Sequence, residues 1–287
     1  MTLKTVNAYT LSVPPRLGQT ALHEAIRTLD GTYSQVDVLA ASLRFATPLD
    51  LCALRALVDH AAGCADLVNF ECPSLVDVQN YLGRMNFYAD LPPNVVLSRD
   101  PPTLRRNDRS TRLIELCRVE SCDDVQRLEE RVWQVAQPHF GNGPMAKACV
   151  SVIAAASENV LDHASSPIGA LVAAQRYERT GLEVAIVDLG VGIPNRLRGR
   201  SEFGHLTDID AVEHALQDGV TSTGEVGRGA GLAELIAAAE QVGRSTLVIQ
   251  SGQAHFTVSC RDGTNDIYRT RPGSPVPGTW ISLRLQP

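Results

Sequence analysis

The rhythm of apolar and polar positions changes several times along the chain, and each change marks an element. "SQVDVLAASLRF" (Ser34 to Phe45) concentrates Val, Leu and Ala and reads as a buried strand. In "PLDLCALRALVDHAAG" (Pro48 to Gly63), Leu51, Leu54, Val58 and Ala61 recur at helical spacing, with Gly63 as the stop. "ADLVNFE" is a second short strand, and "SLVDVQNYLGRMNF" (Ser74 to Phe87) is an amphipathic helix with Ser74 as its N-cap. Strands alternating with helices predict an α/β domain over residues 1–100. The stretch from Leu97 to Ser110, "LSRDPPTLRRNDRS", is charged, carries a proline pair and has almost no apolar content. It reads as the linker, placed at 101–111, and the two domains are expected to separate there.

A second pattern fills 112–287. "RLIELCRV" predicts a strand, "CDDVQRLEERVWQVAQPHF" (Cys122 to Phe140) an amphipathic helix, and "PMAKACVSVIAAASENVLDHA" a long helix. "IGALVAAQRY" and "LEVAIVDLG" follow as strands, "DIDAVEHALQDG" and "AGLAELIAAAEQVG" as helices. "STLVIQSG", "AHFTVSCRDG" and "TWISLRLQP" are the last strands. Helices followed by mostly hairpin-like strands predict an α+β two-layer sandwich.

Composition narrows the classes. Of 287 residues 44% are hydrophobic and 20% charged, enough apolar material for a sizeable core. A formal net charge of -6 disfavours nucleic acid or an anionic membrane as partner. No apolar run approaches the roughly 18 residues that span a bilayer. The first residues lack a signal-peptide core, so a cytoplasmic protein is expected. Seven scattered cysteines without CxxC spacing predict reduced thiols rather than a zinc site or disulfides.

Three pieces of the second half carry candidate chemistry. Asn159 and His163 lie four residues apart on a helix, offset by only about 40°, and an Asn carbonyl oxygen suits Mg²⁺ held between protein and phosphate. A satisfied polar pair is the plainer account of those two alone. "VAIVDLGVGIP" ends an apolar strand in Asp188, followed by Gly190, Gly192 and Ile193. A carboxylate there can accept from an exocyclic amine of adenine, and the glycines let backbone approach a flat ring. An ordinary strand-to-turn junction fits equally well. "GRGAGL" (Gly227 to Leu232) precedes a helix and offers N–H groups to an anion, although a simple helix-entry loop has the same look.

In this order the pieces resemble the GHKL (Bergerat-fold, HATPase_c) ATPases, a superfamily of gyrase, heat-shock chaperones, histidine kinases and bacterial anti-sigma serine kinases. The matching run is Asn159 and His163, then Asp188, Gly190, Gly192 and Ile193, then Gly227, Arg228, Gly229, Gly231 and Leu232, and finally Gly278 and Thr279. The resemblance covers roughly 110–287. It implies ATP bound with Mg²⁺ between a helical layer and a mixed sheet. Asp188 would hold adenine with Thr279 helping through water, Asn159 would hold the metal, and Gly229 and Gly231 would meet phosphates. Residues 196–226 would form a mobile lid. The anti-sigma kinase branch is the nearest in look, and residues 1–100 resemble a STAS-like domain, the fold of the partners of those kinases. Thr47 sits where such domains carry a phosphorylatable hydroxyl; a cap ahead of Pro48 is the alternative. A regulatory protein partner follows from the resemblance, which also leaves room for a homodimer.

One departure stands out. The family helix reads E-x-x-x-N-x-x-x-H, the Glu being the general base, and here that position is Ala155. Glu158 is nearby in sequence but points about 60° away around the helix, so it would serve as base only with a shifted ligand. The sequence therefore predicts an ATP-binding regulator with weak or absent hydrolysis. An active Ser/Thr kinase or slow ATPase using a relocated base, and a scaffold without nucleotide, are the competing expectations.

Overall fold

A parallel ladder organises the first hundred residues. β1 (Ala8–Ser12), β2 (Tyr33–Leu39), β3 (Ala65–Glu71) and β4 (Val95–Leu97) lie side by side in chain order, every pairing parallel. Parallel neighbours need crossovers, supplied by α1 (Gln19–Thr28), α2 (Pro48–Cys64) and α3 (Val76–Arg84). The computed structural model describes residues 7–17, 19–103, 109–161, 165–216, 237, 244–261, 264–271 and 274–286. Val36, Val38, Val68 and Phe70 point into the core. The alternate positions form a polar ladder in which Gln35 and Asn69 both donate to Asp37, at 2.8 and 2.7 Å.

Three boundaries differ from the sequence expectation. The strand from Ser34 stops at Leu39 rather than Phe45, because the chain turns there. The Ser42 hydroxyl donates to the Val13 carbonyl at 2.8 Å and the Ser74 N–H to the Ala41 carbonyl at 2.9 Å. With its own backbone so engaged, Ser74 does not cap α3; Leu75 takes that position without a side-chain cap. Gly63 does not stop α2, which runs to Cys64 with open space where a Cβ would project. Thr47 is the α2 N-cap. Its hydroxyl accepts from the Asp50 N–H at 3.2 Å and its own N–H donates to Asp50 Oδ2 at 2.9 Å, a reciprocal capping box.

The second sheet has seven described strands: β5 (Leu113–Val119), β6 (Ala170–Tyr177), β7 (Gly181–Val187), β8 (Arg244–Gly252), β9 (Ala254–Arg261), β10 (Thr264–Thr270) and β11 (Val276–Gln286). Their order is β10-β9-β8-β11-β7-β6-β5, and every described pairing is antiparallel, unlike the mixed sheet that the resemblance implies. Helices α4 (Cys122–Phe140) and α5 (Pro144–Asn159) cover one face. Val125, Leu128, Val132 and Ile153 pack there with Val172, Val184, Ile186, Phe256 and Ile281. Ser121 caps α4, accepting from the Asp124 N–H at 3.3 Å.

The opposite face meets the N-terminal unit. A single apolar cluster contains Leu22, Leu51 and Leu54 of α1 and α2 together with Leu116, Leu171, Val187 and Trp280 of the second sheet. The described core thus runs across the boundary expected at 97–110. Helix α2 is buried nearly all round, from Leu49 to Ala61. A helix buried on every side belongs between two layers, and α2 lies between the two sheets. It carries a buried ion pair, Arg55 Nε to Asp59 Oδ1 at 2.9 Å, which Arg118 Nη2 completes from the second sheet at 2.7 Å from Asp59 Oδ2.

His23 of α1 is the polar residue in this apolar contact. It is 1% exposed, its ring sits 4.2 Å from that of Trp280 at 73°, and among the described residues neither ring nitrogen has a hydrogen-bond partner. Burial first, and the nearby His255 second, lower its pKa from 6.5 to about 4. An unfolded chain therefore takes up a proton below pH 6.5 that the folded chain refuses until about pH 4. Stability is accordingly lost as pH falls through that window, by roughly 3 kcal/mol. Asp188, described below, has the reverse slope, because its folded pKa is raised. Comparing urea unfolding of the wild type and His23→Phe isolates the histidine: the variant's advantage is expected to grow from pH 7 to pH 4.5. A constant difference would refute the titration.

Candidate active site around Asp188

Strand β7 delivers Asp188 to the site. Period-two alternation along Val184, Ile186 and Asp188 carries the carboxylate to the face that α4 and α5 cover. Asp188 is 1% exposed. The Gly190 N–H donates to its Oδ1 at 2.7 Å and the Thr279 N–H to its Oδ2 at 3.2 Å, while the Asp188 N–H donates to the Thr279 carbonyl at 3.0 Å. Burial pushes its pKa up to about 7, against the opposing pull of the two N–H groups. Among the described residues each carboxylate oxygen accepts one N–H, and a carboxylate oxygen has capacity for a second. A ligand bringing an N–H donor to it would favour the ionised form.

Two glycines make this geometry possible. Gly278 has φ +69°, and a Cβ there would lie 2.2 Å from the Asp188 carbonyl oxygen and 2.7 Å from its Oδ1. Gly192 has φ +74°, and its Cβ would meet Ser251 Oγ at 2.8 Å and the Gly278 oxygen at 2.9 Å. Neither position admits a side chain without displacing backbone. Gly192 opens α6 (Gly192–Arg198), and Ile193 in its first turn donates its N–H to Ser251 Oγ at 3.0 Å.

Sequence reasoning missed two hydroxyls. Ser251, at the end of β8, donates to the Gly278 carbonyl at 2.7 Å and lies 3.3 Å from Thr279 Oγ1, so it ties β8, β11 and α6 together. Ser166 accepts from the Leu189 N–H at 3.2 Å and donates to the Gly169 carbonyl at 2.8 Å, bracing the turn beside Asp188. A lone serine gives no pattern; the nearest signal was its place at the end of an apolar strand, "STLVIQSG".

Of the predicted site residues, the structure brings together Asp188, Gly190, Gly192, Ile193 and Thr279. Ala155, Glu158 and Asn159 are described as helical backbone of α5 only. His163, Gly227, Arg228, Gly229, Gly231 and Leu232 lie outside the described residues. The expected lid begins as packed structure. α6, a 3-10 turn at Ser201–Phe203 and α7 (Asp208–Ala215) gather around Leu197, Ala211 and Ala215; residues 217–226 lie outside the description.

A cavity of about 250 Å³ opens beside α7, lined by Thr207, Asp208, Ile209, Gln253 and Arg271. It shares no lining residue with the Asp188 site. Asp208 is engaged already by Arg198 Nη1 at 2.5 Å and the Gln253 N–H at 2.6 Å. Among the described residues no group of three or more His, Cys, Asp or Glu side chains could hold a metal, and no helix is long and apolar enough to cross a membrane. No family model matches the chain and no curated protein matches it, so the functional reading rests on residues and geometry.

Proposed function

We propose that this chain is an ATP-binding regulator of the GHKL type, with a STAS-like N-terminal unit, that binds adenine nucleotide with Mg²⁺ and turns it over weakly or not at all. Bound nucleotide would set affinity for a protein partner. One observation carries the reading: a buried carboxylate at a strand end, held by two backbone N–H groups, between turns at 192 and 278 that only glycine fits. That arrangement presents a desolvated acceptor to a flat, amine-bearing ring. Asn159 would hold Mg²⁺ and the glycines of 227–231 the phosphates, as the resemblance implies. The alanine at 155 supports binding without turnover, since it offers no base.

Calorimetry with Mg·ATP tests the proposal. The wild type is expected to bind. Asp188→Ala removes the acceptor in a buried pocket, at a cost of roughly 1.5–3 kcal/mol, or about ten- to a hundred-fold in affinity. Unchanged affinity in a folded variant would sink the site assignment.

A further inference from the structure

Residues 274–280 are held from behind by the N-terminal unit. Arg27 Nε of α1 donates to the Ser274 hydroxyl at 3.0 Å, and Ser274 is buried. Val276 joins the apolar cluster that contains Leu22 and Ile26 of α1. Trp280 meets the His23 ring at 4.2 Å. Between these anchors, Gly278 and Thr279 face the other way and form one wall of the Asp188 site. The Thr279 N–H to Asp188 contact, at 3.2 Å, is the longer of the two that hold the carboxylate. Small shifts of this segment therefore act on it first.

The contact also carries one costly group. A buried imidazole with neither nitrogen partnered among the described residues weakens the seat relative to an apolar ring of the same shape. A ligand shifts docking by its differential affinity for the docked and undocked states, and a weakened seat lowers the free energy that shift must supply.

We infer that α1 regulates the Asp188 site, its docking on residues 274–280 setting the acceptor geometry, so that the N-terminal unit and the site ligand favour one another. The identity of that ligand as adenine nucleotide rests on the function proposed above. Coupling is reciprocal: loosened docking weakens ligand binding, and bound ligand tightens docking.

Amide hydrogen exchange on the full chain tests the coupling. Without ligand, Arg27→Ala and Ser274→Ala are expected to speed exchange of the Thr279 and Gly190 N–H groups by about five-fold or more relative to amides of β6. His23→Phe, which keeps a ring against Trp280 and removes the orphan nitrogens, is expected to slow it. Unchanged exchange in all three variants would overturn the inference. In the wild type, Mg·ATP is expected to slow exchange from Leu22 to Thr28. Protection at Thr279 without protection in α1 also overturns the regulation, while leaving nucleotide binding intact. If the variants respond as expected but Mg·ATP alters no amide, the coupling stands and the nucleotide reading falls.

Discussion

Replacing Asp59 by alanine is expected to lower stability by about 3–5 kcal/mol, the range for removing one partner of a buried ion pair. Asp59 is buried and receives both Arg55 and Arg118. Arg55 also donates to the carbonyls of Phe87, Ala89 and Asp90, at 3.2, 2.7 and 2.6 Å. Those bonds fix the guanidinium without neutralising it. Loss of the carboxylate would leave two cations facing each other, one on α2 and one on β5. Urea unfolding measures the cost as a lower midpoint. Glu178→Ala is the control: its pair with Arg112 at 3.3 Å is largely exposed, and such pairs contribute about 0–1 kcal/mol. Equal effects at the two sites would show that the buried triad is not a principal tie between the layers.

Ala155→Glu is expected to raise ATP turnover by ~10²–10⁴-fold without tightening binding, because that is the usual contribution of a general base. The prediction combines the proposed site with the helical register of α5, in which residues 155 and 159 are one turn apart. A glutamate at 155 would then reach the attacking water beside the phosphates. Glu158→Gln is expected to leave the wild-type rate nearly unchanged, since three helical positions separate 158 from 155 by about 60° around the axis. Steady-state phosphate release at saturating Mg·ATP reads both. Brisk wild-type hydrolysis abolished by Glu158→Gln would make the protein an enzyme with a relocated base.

Much of the second sheet was legible because its strands are apolar and long. α4 begins and ends at the residues its pattern marks, with Ser121 available as cap. β10 was not legible: "TNDIYRT" is exposed along its whole length, so burial imposes no alternation on it. β1 and α1 carry weak signals, since five residues hold too little rhythm and no Ser, Thr, Asp or Asn stands directly before Gln19 in the sequence. The contact between the units was present in α2 but misread. Counting Leu51, Leu54, Val58 and Ala61 describes one stripe, whereas Leu49, Cys52, Ala53, Ala56 and Leu57 fill the rest of the circumference and require a second layer. At the site, Asp188 and its glycines announce themselves by following an apolar run. The serines that brace them do so through contacts 23 and 58 residues distant in sequence, which no local pattern records.

The position of β11 bears on how the chain is made. It is the latest of the described strands in sequence, yet it sits between β7 and β8 in the middle of the sheet. Until residues 276–286 have left the ribosome, the described strands can form only two halves, β5-β6-β7 and β8-β9-β10, with raw edges along β7 and β8. The apolar backs of α1 and α2, synthesised some two hundred residues earlier, wait meanwhile for Trp280. Synthesis should thus pass through a long interval in which the residues before β11 expose both unpaired strand edges and a helix layer that β11 later helps to bury. Loss of β11 should leave a nascent protein held by chaperones instead of a smaller folded one.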